Sequence, residues 1–394
     1  MIPPRRAGMI YSLVAYALGV LGLPPSLGAA EVRTDSIQSV TVAPGIVHTS
    51  YTKAGPYTLD VLEVDLSNPG YAIESFRPVG LVRTSQQVRE NDREQHVLGA
   101  INADFFSFKT GWPVGNQVVN GEFALGLATP RSHLAFSVAG RPFMERLTFR
   151  GWLRTPTGKH YDIAGVNDAH KNNSIILHTS FSDTATPWIG PGATFLLQKV
   201  SSGWRAGDTL RLLVASSGVE GSRTLGSQEA VLWIGGGASV GGAREDVRVG
   251  DTLVTYLGFE PDIGHIANVV GGGGMILRGG QPVSDSTNVE EKISVAFLRA
   301  RHPRTFVAIN QDTTKLLLCT VDGRQETSIG MSFQEMADFL LSIGGWHAVN
   351  LDGGGSTTMV VNGVIVNSPS DKTGERPVAN TLQIIKRGVP TLTR

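Results

Sequence analysis

Residues 347–367 read "HAVNLDGGGSTTMVVNGVIVN". A short apolar run over 346–349 ends in Asn350-Leu351-Asp352, three glycines and Ser356 follow, and a second apolar run turns on Asn362-Gly363. Asn-Gly is the strongest short hairpin signal, because both central residues must take positive φ. Just upstream, Ser332-Phe333-Gln334-Glu335 has the form of a capping box. Phe333, Met336, Ala337 and Leu340 keep helical spacing, and Gly344-Gly345 stop the helix. The order is therefore helix, strand, Asn-x-Asp, hairpin.

That order occurs twice. Residues 84–95 are polar and helix-compatible, with Ser85 as a cap candidate, and the apolar run 97–101 ends in Asn102-Ala103-Asp104-Phe105-Phe106. "QVVNGEFAL" then turns on Asn120-Gly121. A weaker third copy, "GGGGMILRGGQPV" over 271–283, turns on Gly279-Gly280. Residues 31–83 alternate apolar and polar, as in "YTLDVLEVDL", which is strand chemistry. In the middle, "RAGDTLRLLV" and "RVGDTLVTYL" are near repeats of a Gly-Asp turn feeding a strand. These patterns predict an α+β fold: a mixed, strand-rich sheet with few helices, built on the helix-strand-hairpin pseudo-repeat. One domain is expected over 31–394, with a β-rich subdomain or insertion at 140–262 packed against the rest.

The chain has 394 residues, 41% of them hydrophobic, enough for a sizeable core. Its formal net charge is zero, which argues against a nucleic-acid partner. Residues 1–30 read as a secretory signal: Arg5 and Arg6, an apolar run over 9–23, Pro24-Pro25, then Gly28-Ala29-Ala30 before Glu31. The apolar run is short for a membrane span, and no later run is apolar enough to be one. A secreted or periplasmic place in a bacterial envelope is expected. The one cysteine, Cys319, forbids an internal disulfide and falls in the apolar run 316–321, which makes it a buried thiol rather than a nucleophile.

Several stretches could carry chemistry. Asp352 stands at a strand end before Gly353, Gly354, Gly355 and Ser356. Backbone N–H groups can converge there to hold an anion, with the Ser356 hydroxyl as a further donor. A flexible turn with a capping Asp reads the tetrad equally well, and no P-loop Gly-Lys-Ser/Thr follows. Asn102 and Asp104 pair sugar-binding chemistry with the plainer reading of an Asx-turn. Their symmetry with Asn350 and Asp352 suggests two carboxylates brought to one cleft. His302-Pro303-Arg304-Thr305 and Asp322-Gly323-Arg324 add guanidinium forks suited to phosphate or carboxylate. The loop containing Ser368-Pro369-Ser370-Asp371 and Gly374-Glu375-Arg376 mixes both charges. The nine histidines show no paired metal spacing, and no G-x-S-x-G elbow occurs. No metal or cofactor is expected, with a bound calcium left open.

Taken in order, "NADFF", "HPRT", "DGR", "NLDGGGST" and "VNSPSDKTGERPVANTL" make the chain resemble the phosphodiester glycosidase family over about 75–388, most strongly over 299–388. The resemblance implies hydrolysis of a sugar-1-phosphodiester to a sugar and a phosphomonoester. It implies catalytic roles for Asp104, Asp352 and Glu375, carboxylates being what a developing oxocarbenium charge requires. It assigns substrate or phosphate contacts to Asn102, His302, Arg304, Asp322, Arg324, Asn350, Gly353, Gly354, Gly355, Ser356 and Arg376. The family's animal members carry disulfides and a membrane anchor, unlike this one-cysteine chain. The expected substrate is therefore a bacterial envelope polymer or exopolysaccharide with sugar-phosphate links. The alternative is a non-catalytic glycan- or phosphate-binding envelope protein.

Overall fold

In the computed structural model, residues 35–182, 192–201, 203–219 and 224–387 are described. The leader expected over 1–30 lies outside them. The fold is α+β and mostly β, with five α-helices among the described residues. No helix there is long and apolar enough to cross a membrane.

Three sheets position everything else. An eight-stranded sheet places His347–Asn350 between Arg304–Ile309 and Met275–Arg278. A five-stranded sheet centres on His96–Asn102, flanked by Met359–Val361 and Thr381–Lys386. A twelve-stranded sheet takes eight of its strands from 140–262 and four from outside that segment. The two near repeats there become Asp208–Ser217 and Thr252–Glu260, paired antiparallel side by side. The 13-residue strand Pro142–Arg154 joins this region to the rest. Its first half pairs with Arg131–Ser137 and its second with Thr252–Glu260.

The local signals have clear structural outcomes. Asn120-Gly121 and Asn362-Gly363 both take positive φ at hairpin turns, as do Gly279-Gly280. The capping box closes in both directions at the start of helix Phe333–Ser342: Ser332 N donates to Glu335 Oε2 at 2.9 Å, and Glu335 N to Ser332 Oγ at 3.3 Å. Phe333, Met336, Ala337 and Leu340 pack that helix on Phe306, Leu317 and the buried Cys319. A second core of Leu62, Ile101, Val307, Leu318, Met359 and Ile384 fills the space between the five- and eight-stranded sheets.

One expectation differs from the structure: Ser85 lies within the first turn of helix Thr84–Asn91 rather than at its cap. The two copies of the pseudo-repeat interlock. The second hairpin pairs with the first copy's strand, with Met359 opposite Ile101 and Val361 opposite Gly99. The chain crosses because Ile101, Met359 and Leu382 must bury the same apolar face, which local pattern cannot specify.

Candidate functional site

The two Asn-x-Asp segments meet because of that crossing. Asp352 N donates to Ala103 O at 2.8 Å, and Asn102 Nδ2 donates to Asp352 O at 2.6 Å. Each backbone thus pins the other, and Asp104 and Asp352 lie close enough for the charge of Asp352 to raise the pKa of Asp104.

Glycines make room for the carboxylates. A Cβ on Gly271 or Gly115 would run into the Asp104 carboxylate, and Gly115 N donates to Asp104 Oδ2 at 2.9 Å. Asp104 N is held by Asn380 Oδ1 at 2.9 Å. Asp104 is 1% exposed. Burial pushes its pKa up to about 7 against the opposing charge of Arg131 and the Gly115 N–H. Asp352 is half-buried. Burial raises its pKa to about 6, opposed by the neighbouring Ser356 hydroxyl and the charge of Arg376. Desolvation disfavours the charged form in both, and the unequal opposing groups separate the two values.

The turn after Asp352 is tightly built. Gly353 has its Cβ position 2.6 Å from Pro303 O, and Gly354 takes φ +63 while its N–H bonds Pro303 O at 2.9 Å. That N–H is therefore spent on the protein, whereas sequence reasoning expected it to help cradle an anion. Gly355 backs onto an ion pair in which Arg376 Nε and Nη2 meet Asp371 Oδ2 and Oδ1 at 2.8 and 3.0 Å. A side chain at Gly355 would displace that pair. Arg324 is exposed, with its guanidinium nitrogens 3.2 and 3.3 Å from the Cβ position of Gly354. Among the described residues no carboxylate pairs with it.

The remaining expected site residues divide clearly. His302 is half-buried near Arg324, with its pKa lowered by burial and by the charges of Arg304 and Arg324. Arg304 is not a phosphate clamp in this structure. It is 1% exposed, its Nε and Nη2 donate to the carbonyls of Met331, Phe297 and Ala300, and it lies over the Phe297 ring at 4.3 Å. Burial next to the Arg324 charge lowers its pKa to about 10. Glu375 is not placed as an acid or base. Its oxygens accept from Ser85 N at 2.7 Å and Ser85 Oγ at 2.6 Å, so it caps helix Thr84–Asn91 from across the fold. Asp322 accepts from the Asn367 side chain at Nδ2 and from Ser368 N, both at 3.0 Å, with burial raising its pKa to about 6. Asn102 and Asn350 are fully buried pins: Asn102 Oδ1 accepts from Thr305 Oγ1 at 2.7 Å, and Asn350 Nδ2 donates to Gly273 O at 3.1 Å.

Sequence reasoning missed Arg131, Gly115 and Asn380, and it named Asp371 only as part of a mixed-charge loop, not as a site residue. Asp371 and Asn380 stood in the stretch singled out over 366–382, but without geometry they were indistinguishable from its other polar residues. Arg131, which donates to Gly272 O at 3.1 Å beside Asp104, carries no motif at all. Buried polar atoms left without a protein partner also collect here: Asp104 Oδ1, Asn350 Oδ1, Ser356 Oγ, Ser370 Oγ and Asn380 Nδ2. Unpaired buried groups are costly.

Residues 240–385 match the phosphodiester glycosidase family model. A 57-residue segment is 49% identical to the N-acetylglucosamine-1-phosphodiester alpha-N-acetylglucosaminidase of Bos taurus, covering 14% of this chain and 11% of that protein. An 89-residue segment is 42% identical to the SPbeta prophage-derived uncharacterized protein YomE of Bacillus subtilis, covering 23% of this chain and 14% of the relative. The chain thus matches only 11% and 14% of the lengths of these curated relatives. Among solved structures, a hypothetical protein from Synechocystis superposes with TM-score 0.69 at 19% identity, covering 89% of this chain and 64% of that one, and shares the fold.

Proposed function

We propose, from the premise that this chain belongs to the phosphodiester glycosidase family, that it hydrolyses a sugar-1-phosphodiester at the paired carboxylates Asp104 and Asp352. One observation carries the reading: two neighbouring strand-end carboxylates whose pKa values are raised to about 7 and about 6, with Arg324, which pairs with no carboxylate among the described residues, against the Gly354 turn that follows Asp352. Environments that separate the pKa values of a carboxylate pair divide acid from base work. Near neutral pH Asp352 is ionised and half-exposed, suited to face the positive charge that develops at the anomeric carbon. Asp104 retains a share of its proton beside it.

In the reaction the bond from the anomeric carbon to the phosphate oxygen breaks, and its electron pair leaves with the phosphomonoester. Water supplies the oxygen that bonds the anomeric carbon; one of its hydrogens stays on the new sugar hydroxyl and the other is passed to the phosphomonoester. Arg324, free of a carboxylate partner among the described residues, and Arg376, held by Asp371, offer guanidinium donors to the leaving phosphate. The natural substrate in this reading is an envelope polymer or exopolysaccharide with sugar-phosphate links, and the leader over 1–30 directs the chain out of the cytoplasm.

The test is turnover of a sugar-1-phosphodiester in isotopically labelled water by the wild type, Asp352→Asn and Asp104→Asn. Label in the released sugar and a loss of at least ~100-fold in both variants support the assignment. Label in the phosphate would identify a phosphodiesterase instead. Binding without turnover across a substrate panel would identify a binding protein.

A further inference from the structure

The outer face of the twelve-stranded sheet carries a pattern that the catalytic site does not use. Across four neighbouring strands, register aligns one row as Asp162, Trp152, Tyr256 and Thr209, and the next as His160, Arg154, Val254 and Arg211. The opposite face of these strands, through Leu153, Leu210, Leu253 and Leu257, is buried in the core, so both rows point outward. Trp152 and Tyr256 are partly exposed, with ring centroids 5.8 Å apart and planes within 16°. His160 adds a third ring at 5.1 Å from Trp152. Gly258 makes the arrangement possible, since a side chain there would strike the Tyr256 hydroxyl.

The solvent face of an antiparallel sheet ordinarily bears polar residues, and large aromatics there mark a contact surface. The charge in the adjacent row indicates what covers it. Arg154 and Arg211 are exposed, and among the described residues no carboxylate pairs with either. They stand two strands apart, roughly 10 Å given strand spacing. Near-parallel aromatic rings bordered by two uncompensated guanidinium groups suit a chain of pyranose rings. Apolar C–H faces stack on the rings, while acidic substituents reach the arginines.

We infer that the face built by Trp152, Tyr256, Arg154 and Arg211 binds an anionic polysaccharide, separately from the catalytic strand ends. The site would hold a polymer against the protein while chemistry occurs elsewhere. The inference is independent of the catalytic reading, because it concerns retention and not turnover.

Affinity electrophoresis of the full chain in gels containing polygalacturonate, alginate or neutral dextran tests it, alongside turnover of a soluble sugar-1-phosphodiester. The wild type is expected to be retarded by one or both anionic polymers and not by dextran. Trp152→Ala should weaken that binding at least ~tenfold, as truncating a buried interface aromatic does. Arg211→Ser, a surface change with little risk to folding, should weaken it and flatten its salt dependence. Turnover of the small substrate should stay unchanged in both. No retardation by either anionic polymer, equal retardation by dextran, undiminished binding in Trp152→Ala and Arg211→Ser, or tighter binding of a single-stranded oligonucleotide than of both polymers would each overturn the proposal.

Discussion

At the scale of single residues, the raised pKa of Asp104 links function to stability. Its carboxyl moves from 3.8 to about 7 on folding, chiefly through burial. Between those values the native state holds a proton that the unfolded chain has released. Its contribution is therefore complete below about 4 and is lost as pH rises through about 7. Asp104→Asn removes the titration. Its melting temperature should exceed that of the wild type by a margin that grows from pH 5 to pH 8 and reaches several degrees, while activity falls. A constant margin across that range would show that Asp104 is not buried as placed. The arginines divide in the same way. Arg304→Ala strips three carbonyls and two ring faces of their partner, and should cost roughly 3 kcal/mol or more in chemical denaturation. Arg324→Ala, at an exposed position without an acidic partner among the described residues, should leave the denaturation midpoint unchanged and lower kcat/KM.

At the scale of elements, Glu375 is bonded to the start of a helix. It supplies acceptors to the first turn of Thr84–Asn91, where N–H groups have no intrahelical partner. Glu375→Gln keeps one acceptor and loses the charge, so it should cost about 1 kcal/mol of stability with activity within a few fold of wild type. A loss of activity comparable to that of Asp352→Asn, at unchanged stability, would restore Glu375 to the chemistry. This residue also shows why part of the site was illegible. A cap made across 290 positions leaves no local mark, so Glu375 and a catalytic glutamate look alike in sequence. What local rules do specify was legible: the capping box at Ser332 and the Asn-Gly turns, each a matter of a few neighbouring dihedrals. Asp104 and Asp352 were legible because the Asn-x-Asp repeat marks strand ends. Arg131 and Gly115 were not, because their proximity to Asp104 is created by packing alone.

At the scale of the whole molecule, the strand Pro142–Arg154 decides whether the sheets behave as one body. Met144 on it belongs to the core between the five- and eight-stranded sheets, whereas Leu147, Phe149 and Leu153 belong to the core of the twelve-stranded sheet. A continuous backbone ladder therefore runs from the 140–262 region to Arg131–Ser137 and on to Ile266–Gly271, which leads into the glycines around Asp104. A subdomain loosely attached to its host would melt separately. Here the two cores share three strands, this one, Arg131–Ser137 and Ile266–Gly271, so Leu153→Ala, which empties a fully buried position, should cost about 2–5 kcal/mol and move the entire transition. Scanning calorimetry should show one peak in wild type and variant, with near-ultraviolet circular dichroism and loss of turnover coinciding. A variant trace that splits into two peaks, with turnover lost only at the second, would show instead that the middle segment unfolds independently of the catalytic strand ends.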